Sequence, residues 1–185
     1  MSRGVILAAD GVDDTQFEYV RHRLREDGML VDIVSPCGGP LRGRRGLRVP
    51  DSMAVEETVG TDRYDVAVLP GGEWVDSLDY DGAVRPWLRA HVEQNTVLAA
   101  IMDGVDVLER MGLLVGYRAS GSRPADANTD SLEGVEWTDE LVTVDGTLVT
   151  ANDPEALPYL VAAALDNVVL RQPTDDELVE RPAWE

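Results

Sequence analysis

Short apolar segments alternate along this chain with segments whose apolar residues have helical spacing, and this alternation restricts the fold more than any other feature. Buried strands are indicated by the short, mainly apolar runs at residues 5–9, 31–34, 65–69 and 97–101. Helical spacing is found between and after them, at residues 16–27, 84–92, 105–111 and, most regularly, 155–169. Strands that alternate with helices in this way predict a mainly parallel sheet with helices on both faces.

The dipeptide Asp145-Gly146 lies between two short β-prone segments, residues 141–144 and 147–150. An Asp-Gly pair in this setting signals a tight hairpin, which would add an antiparallel pair at one edge of the sheet. The predicted fold is therefore α/β, a flavodoxin-like three-layer sandwich. The length of 185 residues fits one domain. We expect that domain to span residues 1–170 and to be followed by an acidic tail over residues 171–185.

The acidic composition excludes one class of partner and points to an environment. The chain has 35 Asp and Glu residues against 16 basic residues, all of them arginine, and its formal net charge is -19. Negative charge spread over the whole length argues against binding to nucleic acid, which requires a positive footprint. It is typical of a halophilic protein, because molar salt shortens the Debye length to about 3 Å and screens the repulsion.

The N-terminal residues and the hydropathy pattern favour a cytoplasmic protein without a membrane partner. The apolar runs are too short to span a membrane, and residues 1–9 do not have the pattern of a signal peptide. Cys37 is the single cysteine, which excludes an internal disulfide and a cysteine-based metal cluster. We expect Cys37 to be a small hydrophobic residue that is buried or half-buried, and we predict neither a metal nor a cofactor.

Three turns follow predicted strands and fall at the same edge of the predicted sheet: Asp10-Gly11, Pro70-Gly71-Gly72 and Met102-Asp103-Gly104. Ligands of parallel sheets bind outside the carboxyl ends of the strands, so these turns should share one crevice. The sharp turn after residues 97–101 is a place where α/β enzymes put a nucleophile. Met102 occupies that turn, and a thioether cannot be deprotonated to attack as an anion.

Several stretches, in this order, resemble the ThiJ/PfpI superfamily, the small single-domain branch of the class I glutamine-amidotransferase-like fold. The resemblance covers about residues 4–168 and rests on Ala8-Ala9-Asp10-Gly11-Val12-Asp13-Asp14, Gly38-Gly39-Pro40, Val68-Leu69-Pro70-Gly71-Gly72, Ala99-Ala100-Ile101-Met102-Asp103-Gly104 and Val144-Asp145-Gly146. It implies a peptidase-like, glyoxalase or deglycase-type or isocyanide hydratase activity, or a stress protein, and a homo-dimer or higher homo-oligomer. It also implies a cysteine on the elbow, a following histidine, a glutamate from the first helix and two backbone N–H groups that bind an oxyanion.

This chain departs from that site at each reactive position. Met102 stands at the position of the cysteine, Asp103 at that of the histidine and Gln16 at that of the glutamate. The backbone donors, which the resemblance assigns to Gly71, Gly72 and the amide of Asp103, are retained. Replacement of all the reactive groups together gives our first hypothesis. The chain has lost the cysteine chemistry and is a small-polar-ligand-binding or oligomeric, stress-related protein.

Alternatives to this first hypothesis involve Asp103 and Asp76. Asp103 is the ionisable group left at the elbow, so a second hypothesis is a redirected hydrolase or hydratase that uses its carboxylate. Against it, an aspartate at a helix start accepts helix N–H groups, and its charge opposes an oxyanion beside it. A cation held between Asp10, Asp103 and Asp106 is a further alternative, with few neutral ligands to complete its coordination. By resemblance, Asp76 matches an acidic residue that reaches a neighbouring subunit's site, and a third hypothesis is a partner-binding tail around Trp184.

Overall fold

The computed structural model describes residues 2–60, 63–121 and 134–171. The strands are β1 Arg3–Leu7, β2 Leu30–Ser35, β3 Leu41–Arg42, β4 Arg48–Val49, β5 Met53–Ala54, β6 Val66–Leu69, β7 Val97–Ile101, β8 Arg118–Ser120, β9 Glu136–Thr138, β10 Thr143–Asp145 and β11 Leu148–Ala151. The α-helices are α1 Asp14–Glu26, α2 Val84–Glu93, α3 Asp103–Arg110 and α4 Leu157–Arg171. Short 3-10 helices span Val55–Thr58, Glu73–Ser77 and Pro154–Ala156.

The main sheet has the strand order β10-β11-β7-β6-β1-β2-β5. All neighbouring strands in it pair in parallel except β10 and β11, which form the hairpin predicted from Asp145-Gly146. Thr143 lies opposite Thr150 in that hairpin, and β11 pairs with β7 on its other side. The mainly parallel sheet and its antiparallel edge confirm the predicted flavodoxin-like α/β fold.

The middle of the sheet is its most apolar part. Every side chain of β6 and β7 is buried, as expected of strands that are covered on both faces. Helices α1 and α4 pack against each other and against the sheet, whereas α2 and α3 pack against β7. The apolar stripe that the sequence predicts for the last helix is buried at Leu157, Leu160, Val161, Ala164, Leu165 and Val168.

Side-chain caps determine where two of the helices begin. Helix α1 starts earlier than predicted, because the carboxylate of Asp13 accepts the N–H of Gln16 at 3.0 Å. The last helical segment starts with a 3-10 turn at Pro154, and the carboxylate of Asp153 accepts the N–H of Glu155 at 2.7 Å.

The prediction for Cys37 is wrong, because its side chain is exposed. Cys37 follows β2 and precedes Gly38 and Gly39, which have φ values of 74° and 86°. Left-handed backbone at these glycines turns the chain out of the sheet toward the β3–β4 hairpin, so the cysteine is carried to the surface.

Two further expectations concern the membrane and the tail. Among the helices of residues 2–60, 63–121 and 134–171, none is long and apolar enough to cross a membrane. Helix α4 runs to Arg171. The remainder of the predicted acidic tail, including Trp184, lies outside the described residues, and its role stays a prediction.

Candidate functional site

The turn between β7 and α3 has the backbone of a nucleophile elbow. β7 is buried over its whole length and α3 begins at Asp103, so Met102 carries the change of direction with φ 51° and ψ -122°. Positive φ is strained in a non-glycine residue with a long side chain, and such strain is typical of functional turns. Gly104 allows α3 to approach β6, since a Cβ there would collide with the carbonyl oxygen of Leu69. The elbow therefore has a methionine at its tip.

Gln16 reaches the elbow from the first turn of α1. Its side chain is buried, and its Oε1 accepts the N–H of Gly71 at 2.7 Å. This bond fixes the orientation of the amide, because a backbone N–H requires an acceptor. The amide nitrogen Nε2 then lies 3.5 Å from the sulfur of Met102. Gln16 therefore contacts the glycine turn with one end of its amide and the elbow with the other.

The carboxylate of Asp103 does not cap its own helix, contrary to the expectation from sequence. Asp103 is the first residue of α3, and Met102 occupies the N-cap position. Its Oδ2 accepts the N–H of Gly72 at 2.8 Å, so a charge-assisted hydrogen bond joins α3 to the glycine turn. Gly72 has a φ of 133°, and a Cβ on it would collide with the carbonyl oxygen of Gly11. Only glycine fits this position without strain.

The N–H groups of Gly71 and Gly72 are thus occupied by side chains of the chain itself. Both belong to the set of oxyanion donors that the resemblance assigns. An oxyanion could reach them only by displacing the amide oxygen of Gln16 or the carboxylate of Asp103, and the second of these groups would repel it. The side chains at the tip of the elbow are a thioether and a carboxylate, and a thioether cannot attack as an anion.

A polar cavity of about 240 Å³ opens beside Asp103. Its charged lining comes from three parts of the chain: Arg44, then Glu73 and Asp76, then Asp103, Asp106 and Arg110. Asp76 and Asp103, which the sequence predicts as site residues, therefore share this cavity. Gly72 lines it as well, whereas the other predicted residues Gln16, Gly71 and Met102 are not part of its lining.

The surroundings of Asp106 shift the pKa of its carboxyl group. Burial raises the pKa of Asp106 above its ordinary value, and the charges of Asp103 and Asp76 raise it further, while Arg110 opposes them. The same crowding acts on the neighbouring turn of α3, where burial and the charge of Asp106 raise the pKa of Glu109. The cavity thus collects more negative charge than its own cations neutralise.

The structure does not bring Asp10 into this cavity. Its carboxylate accepts the N–H of Arg42 at 2.8 Å, so the cation site considered for Asp10, Asp103 and Asp106 is not assembled. Within the ranges that the structure describes, no group of three or more His, Cys, Asp and Glu side chains could hold a metal ion.

Sequence reasoning missed both arginines of the site. Arg110 follows Asp106 by one helical turn, and this spacing was a signal that could have found it. Arg110 also lies with its guanidinium 5.3 Å from the ring centre of Tyr80. Arg44 comes from the connection between β3 and β4 and forms an ion pair with Asp13. Its position depends on how that connection folds over α1, which no local pattern reveals.

A match to a family sequence model shows the family to which this chain belongs. The sequence model of the DJ-1/PfpI family matches residues 2–167. The chain belongs to the DJ-1/PfpI family. The ThiJ/PfpI resemblance inferred from the turns and strands is thereby confirmed. Among relatives, Deglycase PYRAB04690 from Pyrococcus abyssi is 32% identical over 152 residues, which are 82% of this chain and 90% of that protein. Deglycase PfpI from Pyrococcus furiosus is 30% identical over 151 residues, 81% of this chain and 89% of that protein.

Solved structures of DJ-1/PfpI proteins share the fold. A two-domain protein from Anabaena variabilis, with a DJ-1/ThiJ/PfpI-like and a ferritin-like domain, has a TM-score of 0.81 to this chain at 25% identity. The match covers 100% of this chain and 53% of that protein, so this chain spans about half the length of the two-domain protein.

Proposed function

We propose that this chain is a DJ-1/PfpI-family protein that has lost the family's cysteine chemistry and binds a small polar ligand beside Asp103. One observation carries the proposal: Gln16 occupies the N–H of Gly71 and Asp103 occupies that of Gly72. By resemblance, these N–H groups would stabilise an oxyanion. With Met102 at the elbow, the thiol nucleophile that such chemistry needs is lacking, and two of the three donors that the resemblance assigns are already occupied.

The lining of the cavity favours a ligand with a positive charge. Four carboxylates line it against two guanidinium groups, and Arg44 is already paired with Asp13. Burial raises the pKa of Asp106, which means that its ionised form is held at a cost that a bound cation would reduce. A small ammonium compound with a hydroxyl group has the charge and the donors that this lining accepts.

Isothermal titration calorimetry in molar KCl tests this ligand class. The probes are ethanolamine and glycolate, which are similar in size and opposite in charge. We expect ethanolamine to bind, and to bind about tenfold more weakly to Asp106→Asn, since a charge-assisted bond is lost. The control is Asp166→Asn, which removes an exposed carboxylate of α4 outside the cavity. Preference for glycolate, or no binding of either probe, would refute the ligand class.

A redirected deglycase-type hydrolase or hydratase is the second candidate function. Two observations favour it: the relatives from Pyrococcus are named deglycases, and the carboxylate of Asp103 lines an open cavity. In this alternative Asp103 is the working group, and it must release the N–H of Gly72 during the reaction. The alternative requires turnover that Cys37→Ala retains and Asp103→Asn loses.

We also propose that the chain acts as a homo-dimer or higher homo-oligomer, with a stress-related role in a salt-rich cytoplasm. Apolar surface for self-association is offered by Tyr159, Val169 and Leu170 of α4, which are 62%, 64% and 83% exposed. Asp76 is exposed at the rim of the cavity, where a second copy could meet it. Sedimentation velocity in molar KCl tests the assembly, and a monomer at all protein concentrations would contradict it.

A further inference from the structure

A second cavity lies between the 3-10 helix Val55–Thr58 and α2. Its volume is about 340 Å³, within the range of small-molecule sites. The lining is mostly apolar and comes from both elements, with Val55 and Val59 on one side and Pro86 and Ala90 on the other. This cavity shares no lining residue with the cavity beside Asp103, so it is a separate site.

His91 is the polar residue that decides what this cavity can bind. It lines the cavity and is only 7% exposed. Its Nδ1 lies 2.8 Å from the carbonyl oxygen of Trp87. A carbonyl only accepts, so Nδ1 carries the hydrogen and Nε2 carries the lone pair. Burial lowers the pKa of His91, which keeps the ring neutral. Within the described part of the chain, nothing donates a hydrogen bond to Nε2.

Aromatic rings hold His91 in place. The rings of Trp87 and His91 lie 4.1 Å apart between centroids, and Tyr64 stacks on His91 at 5.7 Å with 21° between the ring planes. The indole N–H of Trp87 donates to Oγ1 of Thr58 at 2.8 Å, so Trp87 is fixed from both sides. The site is therefore a preorganised aromatic wall that contains the buried acceptor Nε2 of His91, and its preorganisation lowers the entropy cost of binding.

The side chains that line the cavity offer no positive charge to bind an anion. His91 is neutral, and the charged side chain of the lining is the exposed carboxylate of Glu56. We propose that this cavity binds a small, uncharged, planar molecule that donates one hydrogen bond, through an O–H or an N–H, to Nε2 of His91. The flat rings of Trp87 and His91 supply the stacking surface for such a molecule.

NMR titration with indole tests the proposal, because indole is planar and uncharged and has a single N–H donor. We expect saturable amide shifts at residues of the cavity, such as Thr58, Ala90 and His91. The matched ligand is 1-methylindole, which has the same rings without the donor. It should bind at least about fivefold more weakly, since Nε2 of His91 would be left without a partner.

Two variants distinguish the contribution of the Nε2 acceptor to binding from the contribution of the cavity itself. His91→Phe keeps an aromatic ring and removes Nε2, so the preference for indole over 1-methylindole should disappear. Ala90→Phe fills the cavity from α2, leaves His91 intact and should abolish binding. The proposal is overturned by equal binding of the two ligands to the unmodified chain, by unchanged binding to Ala90→Phe, or by the absence of saturable shifts. Shifts confined to residues around Asp103 would also overturn it.

Discussion

The side-chain oxygen of Gln16 accepts the backbone N–H of Gly71 at 2.7 Å in the interior of the protein. A glutamate at this position could exchange a proton with a thiol, whereas a glutamine cannot. The amide nitrogen faces the sulfur of Met102 at 3.5 Å, so Gln16 also contacts the elbow. The first helix and the elbow are thus joined through two side chains that cannot exchange protons.

The bond between Gln16 and Gly71 should contribute measurably to stability. Gln16→Met keeps a side chain of similar length and leaves the buried N–H of Gly71 without an acceptor, so we expect a loss of about 1–3 kcal/mol in the free energy of unfolding. Urea denaturation in molar KCl measures this difference. The matched control is Gln94→Met, at an exposed position, which should change stability by less than about 0.5 kcal/mol. Equal effects of the two substitutions would show that the bond is not stabilising.

Asp106→Asn should stabilise the chain at neutral pH. Burial and neighbouring carboxylates raise the folded-state pKa of Asp106 above the ordinary 3.8. Protonated Asp106 therefore contributes stability that is fully present below about pH 3.8 and lost as the pH rises through the folded-state pKa. At pH 7 the substitution should raise the free energy of unfolding by up to about 1 kcal/mol, and the gain should shrink toward pH 4. Asp166→Asn serves as the exposed control, and a gain that is independent of pH would contradict this account.

The backbone of the turn between β7 and α3 should still support a reactive thiol when the residues that the resemblance assigns to the family's site are introduced. In a Cys37→Ala background, Gln16→Glu, Met102→Cys and Asp103→His together should give a cysteine whose alkylation midpoint lies below about pH 8.5, because the imidazole and the helix N-terminus stabilise the thiolate. The pH profile of iodoacetamide labelling measures this midpoint. Met102→Cys alone in the same background should titrate higher, since Asp103 places a negative charge beside it. Identical alkylation midpoints in the two variants would show that the introduced glutamate and histidine do not lower the pKa of the thiol.

We expect the net charge of -19 to make the stability of the chain dependent on salt. We expect the melting temperature to rise by about 5–10 °C between dilute buffer and molar KCl, which corresponds to about 2–3 kcal/mol for a chain of this size. A variant in which the exposed residues Asp51, Glu93, Asp139 and Asp166 become Asn or Gln should show a smaller rise. A melting temperature that does not respond to KCl would exclude the halophilic interpretation.

The sheet was predictable from sequence because burial on both faces leaves a continuous apolar signal. β6 and β7 are read directly from Val66–Leu69 and Val97–Ile101, and Asp145-Gly146 locates the hairpin. The turns at the carboxyl ends of β6 and β7 also follow, since parallel strands bring those ends together. Gly72 and Asp103 could therefore be assigned to one region before any contact was known, whereas Gln16 was assigned to it only by the resemblance.

The contacts within that region were not predictable. Whether Asp103 caps α3 or reaches Gly72 depends on a shift of one residue in the helix start, which sequence patterns do not resolve. Arg44 reaches the cavity through a connection whose course is set by tertiary contacts, including its ion pair with Asp13. The exposure of Cys37 likewise depends on the direction in which the following glycines turn the chain.

The most direct test of the central claim is an assay of the purified chain in molar KCl for turnover of methylglyoxal and of a methylglyoxal-modified peptide. The comparison includes Cys37→Ala and Asp103→Asn, with Asp166→Asn as a surface control. If the N–H groups of Gly71 and Gly72 are occupied and the elbow lacks a nucleophile, all four proteins should show only the uncatalysed rate. Turnover that persists in Cys37→Ala and disappears in Asp103→Asn would contradict the claim and identify the redirected enzyme.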